Sequence, residues 1–109
     1  MTKEYRLRDR NSFTVLFRRG KRADSAFFKA VFAKNNSGHG RFAFVVSKSV
    51  SKSAVSRNTL RRRARERLRK NGYAAGQGLD FVLIFKKEAA GLTRSKFYEE
   101  LEKILEKVF

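Results

Sequence analysis

The sequence predicts one α+β domain over residues 1–109, with a single central sheet of about four strands and helices packed on it. Three observations carry this. The hydrophobic pattern changes period along the chain in the order α-β-β-α-β-α. The length suits one modest core and is too short for two. The chain is 41% hydrophobic and holds eleven Phe, enough to fill that core.

The first element is read from "DRNSFTVLFRRG", a short helix. Asp9 or Asn11 stands where a cap belongs, Phe13, Leu16 and Phe17 share a face, and Gly20 sits where a helix-ending glycine is expected. An extra short strand is possible over residues 21–25. "AFFKAVFAK" (26–34) and "RFAFVVSK" (41–48) read as strands, and "NNSGHG" between them reads as a hairpin loop. On 26–34, Phe28, Ala30 and Phe32 point one way and Phe27, Lys29, Val31 and Ala33 the other. "LDFVLIFK" (79–86) is apolar almost throughout, which predicts a strand buried on both faces. In the last segment, Phe97, Leu101, Ile104, Leu105 and Val108 follow helical spacing, with Ser95 as the expected cap. Glycines 20, 38, 40, 72, 76, 78 and 91 mark the joints, and there is no proline.

The segment 57–70 carries seven Arg and one Lys against the single acid Glu66, and it ends at Asn71-Gly72, a helix stop. At about 100° per residue from Arg57, Leu60, Ala64 and Leu68 form a narrow apolar stripe near 300° to 20°. Asn58, Arg61, Arg62, Arg65 and Arg69 lie beside it at about 40° to 140°. Arg57 would fall within the stripe, so it is expected at or before the first turn, with Ser56 or Asn58 as the cap. A merely solvated helix mixes charge signs so that i, i+4 pairs form. This one stacks like charges at 57/61/65/69 and 63/67. Guanidinium suits phosphate better than ammonium does, through its planar bidentate geometry.

The net charge is +17. Residues 1–94 hold 24 Lys/Arg and 6 Asp/Glu, whereas residues 95–109 hold 3 and 4, so the positive field belongs to the body of the domain. Self-repulsion on this scale fits a chain that works beside a polyanion, with nucleic acid ahead of an anionic membrane. There is no Cys and one His, which excludes a disulfide framework and a thiolate zinc site, and no metal is expected on the protein. "MTKEYRLRDR" lacks the apolar run of a signal peptide, and no stretch has the length of a membrane helix. The expectation is a soluble, cytoplasmic protein without a membrane or obligate protein partner. A hydrolase is disfavoured because the carboxylates are scattered and no His pair exists.

"KSAVSRNTLRRRARE" (52–66) resembles the Arg-Asn signature of the protein subunit of bacterial ribonuclease P. "FTVLFRRG" resembles that family's Phe-x-x-x-Phe-x-x-Gly, "FVVSKSV" its strand ending in Ser-Lys, and "LDFVLIFK" its hydrophobic third strand. Order and spacing match over nearly the whole chain. The family often has Arg or Lys after the Asn, where this chain has Thr59, and often a polar aromatic where Val31 stands. The resemblance implies a left-handed β-α-β crossover, a rare exception to the usual hand. It also implies a non-catalytic subunit whose RNA partner cleaves precursor tRNA with magnesium, the metal residing on the RNA. It places Lys52, Arg57, Asn58, Arg61, Arg62, Arg65 and Arg69 against the catalytic RNA. It places Phe13, Phe17 and Phe28 along the single-stranded 5′ leader, and the cations Lys29, Lys48, Arg18 and Arg22 are expected to complete that groove. Bases stack on aromatics while Lys and Arg hold the phosphates. The plainer reading of each Phe is core, and of His39 a solvated loop. The competing function is a structural ribosomal or other basic RNA-packaging protein, which explains the charge but not the joint placement of four motifs.

Overall fold

The computed structural model describes residues 10–35, 38–71 and 78–109. The elements run α1 (Arg10–Arg19), β1 (Lys21–Asp24), β2 (Phe28–Lys34), β3 (Arg41–Val45), α2 (Ala54–Lys70), β4 (Leu79–Phe85), a 3-10 helix (Lys87–Gly91) and α3 (Arg94–Val108). The predicted α+β order is present, and the short strand considered over 21–25 is β1.

The strands form one sheet in the order β1-β2-β4-β3. β2 pairs antiparallel with both β1 and β4, and β3 pairs parallel with β4. The strands expected to form a hairpin, 26–34 and 41–48, are therefore not neighbours, because β4 inserts between them. The physical reason lies in β4 itself. A nearly continuous apolar strand needs a neighbour on each side and cover on each face, and only the centre of the sheet supplies both. The tight hairpin is instead β1–β2, where Ser25 Oγ accepts from the backbone N–H of Phe27 and Phe28 at 3.3 and 3.1 Å. That turn delays β2 until Phe28. The parallel pair β3–β4 is joined through α2, as parallel strands require a crossover.

Alternation assigns the two faces. Phe28, Ala30, Phe42, Phe44, Phe81, Leu83 and Phe85 form the main core with Ala64 and Leu68 of α2 and Phe97, Leu101, Ile104 and Leu105 of α3. Val31 and Val82 point to the other face, where Leu16 of α1 packs with Phe13, Ala33, Ala43 and Ile84. α2 and α3 thus cover one face, and α1 alone lies on the other. Gly20 is required by close approach. Its N–H donates to Leu16 O at 2.7 Å, and a Cβ there would stand 2.5 Å from the same oxygen.

Several helix starts differ from expectation. α1 begins at Arg10, so Asn11 lies inside it; Asp9, Gly72 and Gly76 lie outside the described residues. α2 begins at Ala54 and is capped by Ser53, whose side chain accepts from Ser56 N–H, rather than by Ser56 or Asn58. The like-charge pattern begins only at Arg57, three residues into a helix whose first turn is otherwise uncharged. α3 is capped by Thr93, whose hydroxyl accepts from Lys96 N–H at 3.2 Å, and Ser95 is already helical. Thr93→Ala is expected to cost about 1 kcal/mol in urea unfolding, with no comparable loss for Ser95→Ala.

The two buried acidic side chains among the described residues sit where cations satisfy them. Glu100, buried on α3, lies 3.1 Å from Lys103 and 3.5 Å from Lys96. The Lys103 hydrogen bond holds its carboxyl below the usual range, against the opposing effect of burial. Asp80 accepts two 2.8 Å bonds from Arg41, through Nε and Nη2, and one from Asn35 Nδ2 at 2.8 Å.

Candidate nucleic-acid interface

α2 lies on the core through Ala64 and Leu68, with Leu60 packed beside them, as the stripe predicted. Its arginines divide by what they touch. Arg67 turns toward α3, with its guanidinium 4.2 Å from the Tyr98 ring centre and 3.8 Å from Glu102. Asn71 donates to the same Glu102 at 2.8 Å. This pairing holds two helices together, and a one-dimensional reading of the charge run missed it. Arg57, in the first turn as expected, reaches back to donate to Ser51 O at 2.8 Å and Lys52 O at 3.0 Å. It braces the loop that enters the helix.

The rest of the basic face is turned outward. Arg61, Arg62 and Arg65 wall an open hollow of about 420 Å³ with Val55, Asn58 and Thr59, and among the described residues no acid lines it. Asn58 Oδ1 accepts from Arg61 Nη2, which orients that guanidinium. Thr59, at the departure from the signature, donates back to Val55 O at 3.0 Å, so its hydroxyl serves the helix backbone. Arg65 also lies over the Phe44 ring at 5.8 Å. Arg62 and Arg69 are exposed, as is Lys52 in the preceding loop. Val55 is 75% exposed at the helix start and was not singled out from the sequence.

The second surface is the sheet face beside α1. Phe13 and Phe17 stack with ring centres 6.4 Å apart, and Phe17 remains 36% exposed. The register places Lys29, Ile84 and Val45 in one row across β2, β4 and β3. Val45 is 39% exposed, and Lys29 and Lys48 are exposed, Lys48 just beyond the end of β3. An apolar strip flanked by cations results. Ile84 and Val45 were missed as surface residues; their alternation with Phe44, Val46, Leu83 and Phe85 was the available signal. Arg22 Nη2 donates to Phe17 O at 2.8 Å and braces the end of α1. His39 sits in its loop with its carbonyl accepting from Asn35 Nδ2 at 3.2 Å.

Phe28 does not belong to this surface. It is fully buried on the opposite face, edge-on to Phe85 at 5.1 Å and to Phe97 at 5.8 Å. Alternation alone separates it from Lys29 and Val31, and no base could reach it.

Among the described residues no cluster of three or more His, Cys, Asp or Glu is placed to hold a metal, and no helix is long and apolar enough to cross a membrane. An outward guanidinium helix and an apolar strip edged with lysines define a polyanion-binding α+β domain. The family model described as Ribonuclease P matches residues 1–108, and the chain belongs to the ribonuclease P protein family, the protein component of an RNA-catalysed endoribonuclease that processes tRNA. The ribonuclease P protein component of Thermotoga maritima is 34% identical over 95% of this chain and 89% of its own length. That of Finegoldia magna is 37% identical over 96% and 88%. Among solved structures, the Staphylococcus aureus RNase P protein superposes with TM-score 0.84 at 25% identity, covering 95% of this chain and 94% of that one. The Thermotoga maritima protein gives 0.77 at 31%, covering 93% and 92%. A match over almost the whole chain does not favour the ribosomal or packaging alternative.

Proposed function

We propose that this chain binds both the RNA subunit of ribonuclease P and the 5′ leader of precursor tRNA, on two separate surfaces. The observation that supports this is the division of the sheet. α2 presents Asn58, Arg61, Arg62, Arg65 and Arg69 from one side, while the strip beside Phe13 and Phe17 opens on the other. Arginine on a helix supplies phosphate contacts to a folded RNA. The Phe17–Ile84–Val45 strip between Lys29 and Lys48 supplies stacking and charge for unpaired nucleotides. Lys52, beside the start of α2, extends the first surface, whereas the bonds of Arg57 to the entering loop make it a support for that surface. Hydrolysis belongs to the RNA subunit with its magnesium, and the holoenzyme works in the cytoplasm.

The test is cleavage of precursor tRNA at low magnesium. The protein alone is expected to leave the substrate intact, and adding it to its RNA subunit is expected to stimulate cleavage. Cleavage by protein freed of RNA and contaminating nuclease would overturn the assignment.

A further inference from the structure

The side of α1 away from Phe13 and Phe17 carries a second exposed surface. Val15, 51% exposed, and Arg19 wall an open hollow of about 470 Å³ with Ala33, Lys34, Arg41 and Asp80. A second hollow of about 370 Å³ adjoins it, with Phe32, Leu79 and Val108 as its floor and Arg19, Lys21 and Lys34 at its rim. Arg19 and Lys34 line both, so the two are continuous around the end of β2.

The charges here differ from those that serve the fold. Lys86, Lys96, Lys103, Arg41 and Arg67 each pair with a carboxylate. Arg19, Lys21 and Lys34 are exposed and make no ion pair or side-chain hydrogen bond among the described residues. Asp80, the only acid among the described residues that line either hollow, is already held by Arg41 through two bonds. Three uncompensated cations around a partly exposed aromatic floor repel one another and attract an anion with an apolar face. An unpaired nucleotide has both properties, a phosphate and a base that stacks. A duplex keeps its bases stacked inside and would leave the Phe32 floor unused.

The two surfaces also lie a definite distance apart, the second turning round the end of β2 to the face that α3 covers. Lys29 stands at the first groove and Lys34 at the second, five residues along β2, or about 17 Å at about 3.4 Å per residue. We propose that the surface formed by Arg19, Lys21 and Lys34 around Phe32, Leu79 and Val108 is a second contact for single-stranded RNA. It takes the 5′-distal part of a long leader whose proximal part lies in the Phe13–Phe17 groove. This rests on the proposed leader function, and it makes affinity depend on leader length in two stages.

The test uses the holoenzyme and precursor tRNAs with leaders of graded length. Wild-type affinity rises once as the leader fills the first groove, and again as it reaches the second. In Arg19→Ala/Lys34→Ala the second rise disappears, so that long and intermediate leaders bind equally, while the shortest leaders bind as to wild type. For long leaders the salt dependence flattens by about 1.4 units, at about 0.7 per single-strand phosphate contact. Both side chains are exposed, so the variant should melt as wild type does; Lys21→Ala supplies a second, independent reading of the same loss. A single rise in the wild type overturns the proposal, as does an equal loss at every length. Weaker binding of the RNA subunit without tRNA also overturns it, assigning the surface to that RNA. If Phe17→Ala leaves short-leader affinity untouched, the leader reading itself fails. If Phe17→Ala acts and Arg19→Ala/Lys34→Ala does not, only the second contact fails.

Discussion

Replacing Arg61, Arg62 and Arg65 together by Ala is expected to weaken binding to the RNA subunit and to flatten its dependence on salt by nearly three units. Each phosphate contact to a duplex contributes a slope of about 0.9 through counterion release. The affinity deficit of the triple variant should therefore be about 40-fold smaller at 200 mM than at 50 mM salt. The helix should survive the change. Ala is the best helix former, and the substitution removes like-charge repulsion along one face. Within the protein it takes away the exposed Asn58–Arg61 bond and the contact of Arg65 with the Phe44 ring at the edge of the core. Titrations of the RNA subunit across a salt series, with helicity checked by circular dichroism, measure this. An unchanged slope in a folded variant would place the RNA contact elsewhere.

Phe28→Ala and Phe17→Ala are expected to fail in opposite ways. Phe28 sits among Phe85 and Phe97 with no exposed surface. Its truncation should cost about 3–5 kcal/mol through reduced burial and the cavity left behind. At about 4–8 °C per kcal/mol, the variant should melt at least about 12 °C earlier. Binding of every RNA should fall together as the protein unfolds. Phe17 is partly exposed beside the open strip, and its truncation should leave most of the melting temperature intact. The holoenzyme should then lose about 1–3 kcal/mol of affinity for tRNA bearing a leader, roughly 5- to 150-fold. Mature tRNA, which has no leader, should bind about as before. Equal losses for both tRNA forms with a folded protein would remove Phe17 from the leader surface.

Much of this was legible in one dimension. A helical stripe at Leu60, Ala64 and Leu68 needs only a period of 3.6, and it placed α2 on the core. The run "LDFVLIF" predicted a strand buried on both faces, because no polar residue breaks its apolar length except Asp80. Alternation on 26–34 already opposed Phe28 to Lys29, yet motif position grouped them on one surface, and the fold separates them. The caps of α2 and α3 were misplaced by two to five residues. Several Ser and Thr stand near each helix start, and local sequence does not choose among hydroxyls.

What the sequence by itself determined is the class of the domain, its family and its polyanionic partner, because these follow from period, motif and net charge, which are properties of the chain in order. The tertiary structure alone decided that β4 divides β2 from β3, that Arg41 meets Asp80, and that Arg67 serves α3. It also decided that α1 leaves a cationic hollow on its far side. These depend on contacts between residues distant in the chain, such as the 39 positions between Arg41 and Asp80. Such partners are selected only when burial of both faces of the sheet brings the strands together, and no local pattern encodes that choice.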